Sequence, residues 1–170
     1  GSELTTLEIL KEYNIKTTDL AQASSLDAMD TVDALKDNII DGYFFMVGHP
    51  TQNIRDAIKS SDIDIIPIKG KEIDNLIRKK DYFVKSFIDA NLYEGIHSSI
   101  ETIGSKSIII TSSMVEDQLV YDFTKIIIEN FDEFKQTHKV YKNLTIKSLF
   151  EGLTAPLHDG VIKYLKDNTK

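Results

Sequence analysis

His49, Thr51, Asn53 and Arg55 occupy alternate positions in the stretch His49-Pro50-Thr51-Gln52-Asn53-Ile54-Arg55, directly after Gly48. Imidazole, hydroxyl, amide and guanidinium groups all donate hydrogen bonds, and a guanidinium can clamp a carboxylate through a forked pair. The chemistry on offer is recognition of a small anion. Gly48 lets the chain turn sharply, and Pro50 suits a first helical position, where its missing N–H is no loss. Free N–H groups and the positive end of the helix dipole would then meet an anion. The same residues also make an ordinary capped, solvated helix start, and the pattern leaves both readings open.

Other chemistries find less support. There is no cysteine, so neither a disulfide framework nor thiol catalysis is available. His97, His138 and His158 show no HxxxH or HExxH spacing, and no metal site is expected. Asp27, Asp30, Asp33 and Asp37 march along a helix instead of wrapping round a loop, which reads as a solvated face. No G-x-S-x-G elbow or Gly-Lys-Ser/Thr phosphate loop occurs. Asp41 and His49 would flank opposite ends of one strand, about 25 Å apart at ~3.3 Å per residue, too far for an acid–base pair. No enzyme and no cofactor are expected.

The elements that must hold the donors are read from periodicity. Tyr43-Phe44-Phe45-Met46-Val47, between Asp41-Gly42 and Gly48, reads as a strand buried on both faces. Tyr43 and Phe45 share one of its faces and serve as core or as ligand wall. Before it, a helix is expected from Ser2 or Glu3 towards Tyr13, with Leu4, Leu7, Ile9 and Leu10 as its apolar positions and Asn14 as its stop. A second helix, capped by Ser24-Ser25, turns Leu26, Met29, Val32, Leu35 and Ile39 inward. After it come the helix led by Pro50, a buried strand over Ile63 to Ile68 weakened by Pro67, and a helix after Gly70 with Ile73, Leu76 and Ile77 inward. Asp81 to Gly95 reads as a long, partly helical connection, with Tyr93-Glu94-Gly95 an ordinary turn or a hinge. Strands are expected over Ser98 to Ile103 and Ser107 to Thr111. Ser113-Met114-Val115-Glu116 has the spacing of a capping box for the longest helix, with Leu119, Val120, Phe123, Ile126, Ile127, Phe131 and Phe134 on its apolar side. Leu144 to Phe150 reads as a short helix, and a last helix runs through Ile162 and Leu165. Strands alternating with helices place the chain in the α/β class.

The 170 residues suit one medium domain or two small lobes, and the net charge of −7 argues against a nucleic-acid partner. No apolar run approaches the ~20 residues of a membrane-spanning helix, so no direct membrane insertion is expected. An anionic ligand would be captured by local groups, since the overall field repels it. Arg78 is expected at the surface, and Thr5 and Thr6 are further ligand candidates.

Five motifs in order, Leu7-Glu8-Ile9-Leu10-Lys11-Glu12-Tyr13, Asp41-Gly42-Tyr43-Phe44-Phe45 with Gly48-His49-Pro50, Tyr93-Glu94-Gly95, Glu116-Asp117-Gln118-Leu119-Val120-Tyr121 and Pro156-Leu157-His158-Asp159-Gly160, resemble the TAXI family of extracytoplasmic solute receptors, the binding subunits of TRAP-type transporters. The resemblance covers nearly all of this chain but only the C-terminal half of the family's pattern, and Asp159 replaces the usual proline. It implies part of a type II periplasmic binding-protein-like, two-lobed α/β fold with parallel-type strands covered by helices. Residues 1–98 would belong to the second lobe, and residues 99–170 would supply crossover strands and C-terminal helices to the first. Gly1-Ser2 reads as a tag remnant, so a leader peptide would have been removed from a periplasmic protein. On a cut at this place, Phe123, Phe131 and Phe134 should be partly uncovered.

The implied function is capture of a small organic anion, such as glutamate or a dicarboxylate, for delivery to TRAP-type membrane permease subunits. Tyr43, Phe45, Gly48, His49, Pro50, Thr51, Asn53, Arg55 and Tyr93 are the expected ligand-binding residues. The alternative is a non-transport α/β sensor or protein-interaction module that retains the receptor fold.

Overall fold

The computed structural model describes residues 1–168. They form two compact units, Gly1–Ser105 and Lys106–Lys170.

In the first unit, α1 (Ser2–Glu12) ends where Asn14 takes a left-handed φ of 55° and the Ile15 amide donates to the Leu10 carbonyl at 2.9 Å. Asparagine tolerates that conformation better than most side chains, so the expected stop has a physical cause. α2 (Ala28–Lys36) and α3 (Gln52–Ser60) follow, and then α4 (Lys71–Lys79). Gly70 precedes α4 at φ +117°, a conformation open to glycine. Ile73 and Leu76, one turn apart on α4, are the most deeply buried large side chains and pack with Ile9, Phe83 and Ile103. Burial of each contributes about 1.5–3 kcal/mol. β1 (Phe83–Ile88) and β2 (Ile100–Ser105) pair antiparallel, from Phe83 opposite Ser105 to Ile88 opposite Ile100. A second apolar cluster gathers Ile88, Tyr93 and Ile100 with Ile54, Ile58, Ile65, Leu92 and Ile96.

In the second unit, α5 (Asp117–Glu129) leads to α6 (Phe131–Gln136), two 3-10 turns (Lys139–Asn143 and Lys147–Phe150) and α7 (Asp159–Asn168). Gly160 is the contact point of α7 on α5. A side chain there would overlap the Asp117 carbonyl and lie 2.9 Å from both the Tyr121 amide and Val120 Cβ. The close approach lets Tyr164 bury and meet Tyr121 edge-on, with ring centroids 5.4 Å apart.

Helices and a small sheet keep the chain in the α/β class. The only sheet among the described residues has two antiparallel strands, not the expected parallel type. Tyr43–Val47, Ile63–Ile68 and Ser107–Thr111 are not strands. An apolar run needs a partner ladder to become a strand, and these find little: the Met46 amide donates to Ser2 Oγ at 3.0 Å, and the Ile68 amide to the Glu101 carbonyl at 3.2 Å. Ile66 is 79% exposed, and Ile109 and Ile110 are also in water. Conversely, the supposed connection after Asp81 holds β1, whose two ends, Phe83 and Ile88, are buried in the two separate apolar clusters while Lys85 and Phe87 between them are exposed.

Pro50 precedes α3 instead of starting it; Thr51 is the N-cap, and the His49–Pro50 bond is cis. The second helix starts at Ala28, not after Ser24-Ser25, and its buried residue is Ala34, while Met29 is 85% exposed and Leu26 and Ile39 are also exposed. On α1 the buried pair is Ile9 and Leu10, with Leu4 and Leu7 exposed. The capping box does not form: Glu116 is the N-cap of α5 without a side-chain bond, and Ser112 Oγ instead accepts from the Met114 amide at 3.1 Å. Leu119, Phe123 and Ile126 are exposed, and Phe131 and Phe134 are half-buried. Residues 144–150 contain a 3-10 turn in place of a helix.

Candidate functional site

α3 and the β1–β2 connection position the site. In that connection Asn91 at φ 62° and Gly95 at φ +78° turn the chain tightly, and Tyr93 between them is only 4% exposed. Its ring joins the apolar cluster, which carries its hydroxyl to the start of α3. There the Thr51 amide donates to the Tyr93 hydroxyl at 3.0 Å, and the same oxygen lies 2.8 Å from His49 Nδ1. The two rings meet edge-on, with centroids 5.8 Å apart. One of the orphan amides at the helix start is thus satisfied by a side chain more than forty residues away.

Burial shapes the charge state of these groups. Desolvation holds the His49 imidazole below its ordinary value of 6.5, so it is neutral at physiological pH. The Tyr93 phenol is pushed up from 10.0 by desolvation, against smaller opposing effects of the Thr51 amide and the Arg55 charge. Tyr43 is raised by desolvation and by Tyr93. Both phenols keep their protons.

A second set of contacts lies alongside. The Tyr43 hydroxyl donates to Asn53 Oδ1 at 2.8 Å, and Asn53 Nδ2 donates to the Ala28 carbonyl at the start of α2. Phe45 packs edge-on against Tyr43, with centroids 6.3 Å apart. Arg55, one turn into α3, borders a cavity of ≈ 210 Å³ with Ile58, Lys59, Leu92, Tyr93 and Glu94. No carboxylate pairs with the Arg55 guanidinium among the described residues.

The expected site residues therefore divide. Tyr43 with Asn53, and His49 with Thr51 and Tyr93, are brought together by hydrogen bonds, and Arg55 joins Tyr93 at the cavity. Of the expected residues only Arg55 and Tyr93 line the cavity; Tyr43, Phe45, Gly48, His49, Pro50, Thr51 and Asn53 do not, and Gly48 is exposed. Thr6 is used within α1, donating to the Ser2 carbonyl at 2.8 Å. Lys59 and Glu94 were not anticipated. Lys59 lies four residues after Arg55 and so on the same helical face, a spacing that reveals it once Arg55 is suspected.

Another, more open cavity of ≈ 500 Å³ in the first unit is bordered by Lys69, Phe87, His97, Ser98 and Glu101 among others. The histidines outside the site have local duties: His138 Nδ1 accepts from the Val140 amide and His158 Nδ1 from the Gly160 amide. No cluster of three His, Asp or Glu suited to a metal ion occurs among the described residues. No helix among them is long and apolar enough to cross a membrane.

The arrangement offers fixed donors and cations beside a small cavity, which is equipment for binding. A sequence model of the NMT1-like family matches residues 1–168, practically the whole length of the chain. With a match of that extent, the chain belongs to the NMT1-like family, a family of periplasmic solute-binding proteins.

Proposed function

We propose that the protein acts as an extracytoplasmic receptor of the TAXI type, holding a small organic anion such as glutamate or a dicarboxylate for a TRAP-type permease. The observation that carries this reading is Arg55, without a carboxylate partner among the described residues, lining the cavity together with Tyr93, whose phenol feels its charge. Lys59 adds a second cation to the rim, and Glu94 supplies an acceptor for an ammonium group. A cavity of ≈ 210 Å³ lies below the about 300–1,000 Å³ usual for drug-sized ligands and suits a solute smaller than those. In this reading Arg55 and Tyr93 form the ligand wall, and Tyr43, Phe45, Gly48, His49, Pro50, Thr51 and Asn53 support it from outside the cavity. Residues 1–98 belong to one lobe of a two-lobed receptor and residues 99–170 contribute to the other. Ligand closes such a receptor, and the closed form is the one a permease reads.

Calorimetric titration with glutamate and with succinate tests the reading. Saturable heats that fall at least tenfold in affinity in Arg55→Ala support it. Titrations without heat for either solute, or chemical turnover of the solute, overturn it.

A further inference from the structure

Tyr93 has a role that the placement of a ligand wall does not require. Its hydroxyl oxygen must accept from Thr51, because a backbone amide can only donate. The phenol has one proton left to place, and His49 Nδ1 stands 2.8 Å away. Were Nδ1 protonated, it too would donate to the tyrosine oxygen, and the phenol proton would have no acceptor. No third partner for this hydroxyl occurs among the described residues. Tyr93 is 4% exposed, and a buried donor left unpaired is costly. The phenol proton therefore goes to Nδ1, and the imidazole proton resides on Nε2.

We infer that Tyr93 is a positioning residue: it holds His49, which lies behind Tyr93 and does not itself border the cavity, as the Nε2–H tautomer, a neutral donor of fixed orientation for a carboxylate that reaches it. A freely rotating imidazole would present a lone pair part of the time, and a lone pair repels a carboxylate. The edge-on contact of the two rings limits the swing of the imidazole. The use of that donor rests on the receptor reading above, whereas the tautomer itself does not.

Long-range proton–nitrogen NMR correlations of the histidine ring, in the full chain labelled with ¹⁵N-histidine, separate the two. Wild-type protein near neutral pH should show His49 with an unprotonated Nδ1 and a protonated Nε2. Tyr93→Phe should convert this to an exchanging mixture and weaken glutamate binding about three- to tenfold, the scale of one lost hydrogen bond. An Nδ1–H signature in wild type, or an unchanged signature in Tyr93→Phe, overturns the proposal. If Tyr93→Phe does not fold, the wild-type spectrum alone still decides, because Nδ1–H there is incompatible with the lock. Wild-type protein with the Nε2–H signature that takes up no glutamate upholds the lock and overturns the receptor reading, so the two failures are distinct.

Discussion

The Tyr43 hydroxyl donates to Asn53 Oδ1 at 2.8 Å, and the amide nitrogen of the same asparagine donates to the Ala28 carbonyl. One side chain thus ties the irregular segment before Gly48 to the first turn of α3 and to the start of α2.

That bridge should be measurable as coupling. Tyr43→Phe and Asn53→Ala should each destabilise the protein by about 1 kcal/mol, and the double variant by less than their sum, with a coupling of about 0.5–1.5 kcal/mol. Urea unfolding of the four proteins provides the cycle. Strict additivity would mean that the contact contributes nothing in solution.

Acidification should weaken the first unit through His49. Its pKa is depressed in the folded protein by desolvation, so the unfolded chain takes up the proton first. The stability it lends is present above its ordinary value of 6.5 and is lost as pH falls through that value towards the lower folded one. Thermal melts between about pH 7.5 and about pH 5 should show a larger drop for wild type than for His49→Gln. Parallel curves would contradict the burial of this imidazole.

The helix pair of the second unit hinges on Gly160. A methyl group there meets the Asp117 carbonyl and the Tyr121 amide, which belong to backbone and yield little. Gly160→Ala should therefore cost about 1–3 kcal/mol despite its better helix propensity. Circular dichroism during urea unfolding, followed at the Tyr164 environment in the near ultraviolet, reports it.

Two truncations test where the core lies. Leu76→Ala, at a side chain with 0% exposure, should cost about 2–5 kcal/mol. Met29→Ala, on the stripe that periodicity alone turns inward, should stay within about 0.5 kcal/mol of wild type. Comparable losses at both positions would restore the stripe.

Much of the helical framework was legible in the sequence because its signals are local. Asn14 and Gly70 mark helix boundaries through backbone conformations that few residues adopt, and Ile73, Leu76 and Ile77 keep helical spacing. Of the strands only β2 was legible, the segment Ser98 to Ile103 answering to Ile100–Ser105. Tyr43–Val47 and Ile108–Ile110 carry strong apolar runs, yet strand formation depends on a neighbour offering donors and acceptors, which no run encodes. β1 was missed for the opposite reason: Lys85 and Ser86 interrupt the apolar pattern, and only pairing with Ile100–Ser105 makes the segment a strand. The site divides in the same way. His49, Thr51 and Asn53 are neighbours in sequence, whereas the Tyr93 bonds to His49 and Thr51 span 44 and 42 positions, and that closure is a property of tertiary packing.

The outward row of Leu119, Phe123 and Ile126 on α5 bears on how the protein behaves at the bench. Oily surface left in water is penalised further by salts excluded from it, such as sulfate. Precipitation in ammonium sulfate should therefore come early and reverse on dilution, with the fold intact throughout. Replacing Phe123 by serine should move that threshold upward, because the methylene and ring surface responsible would be gone.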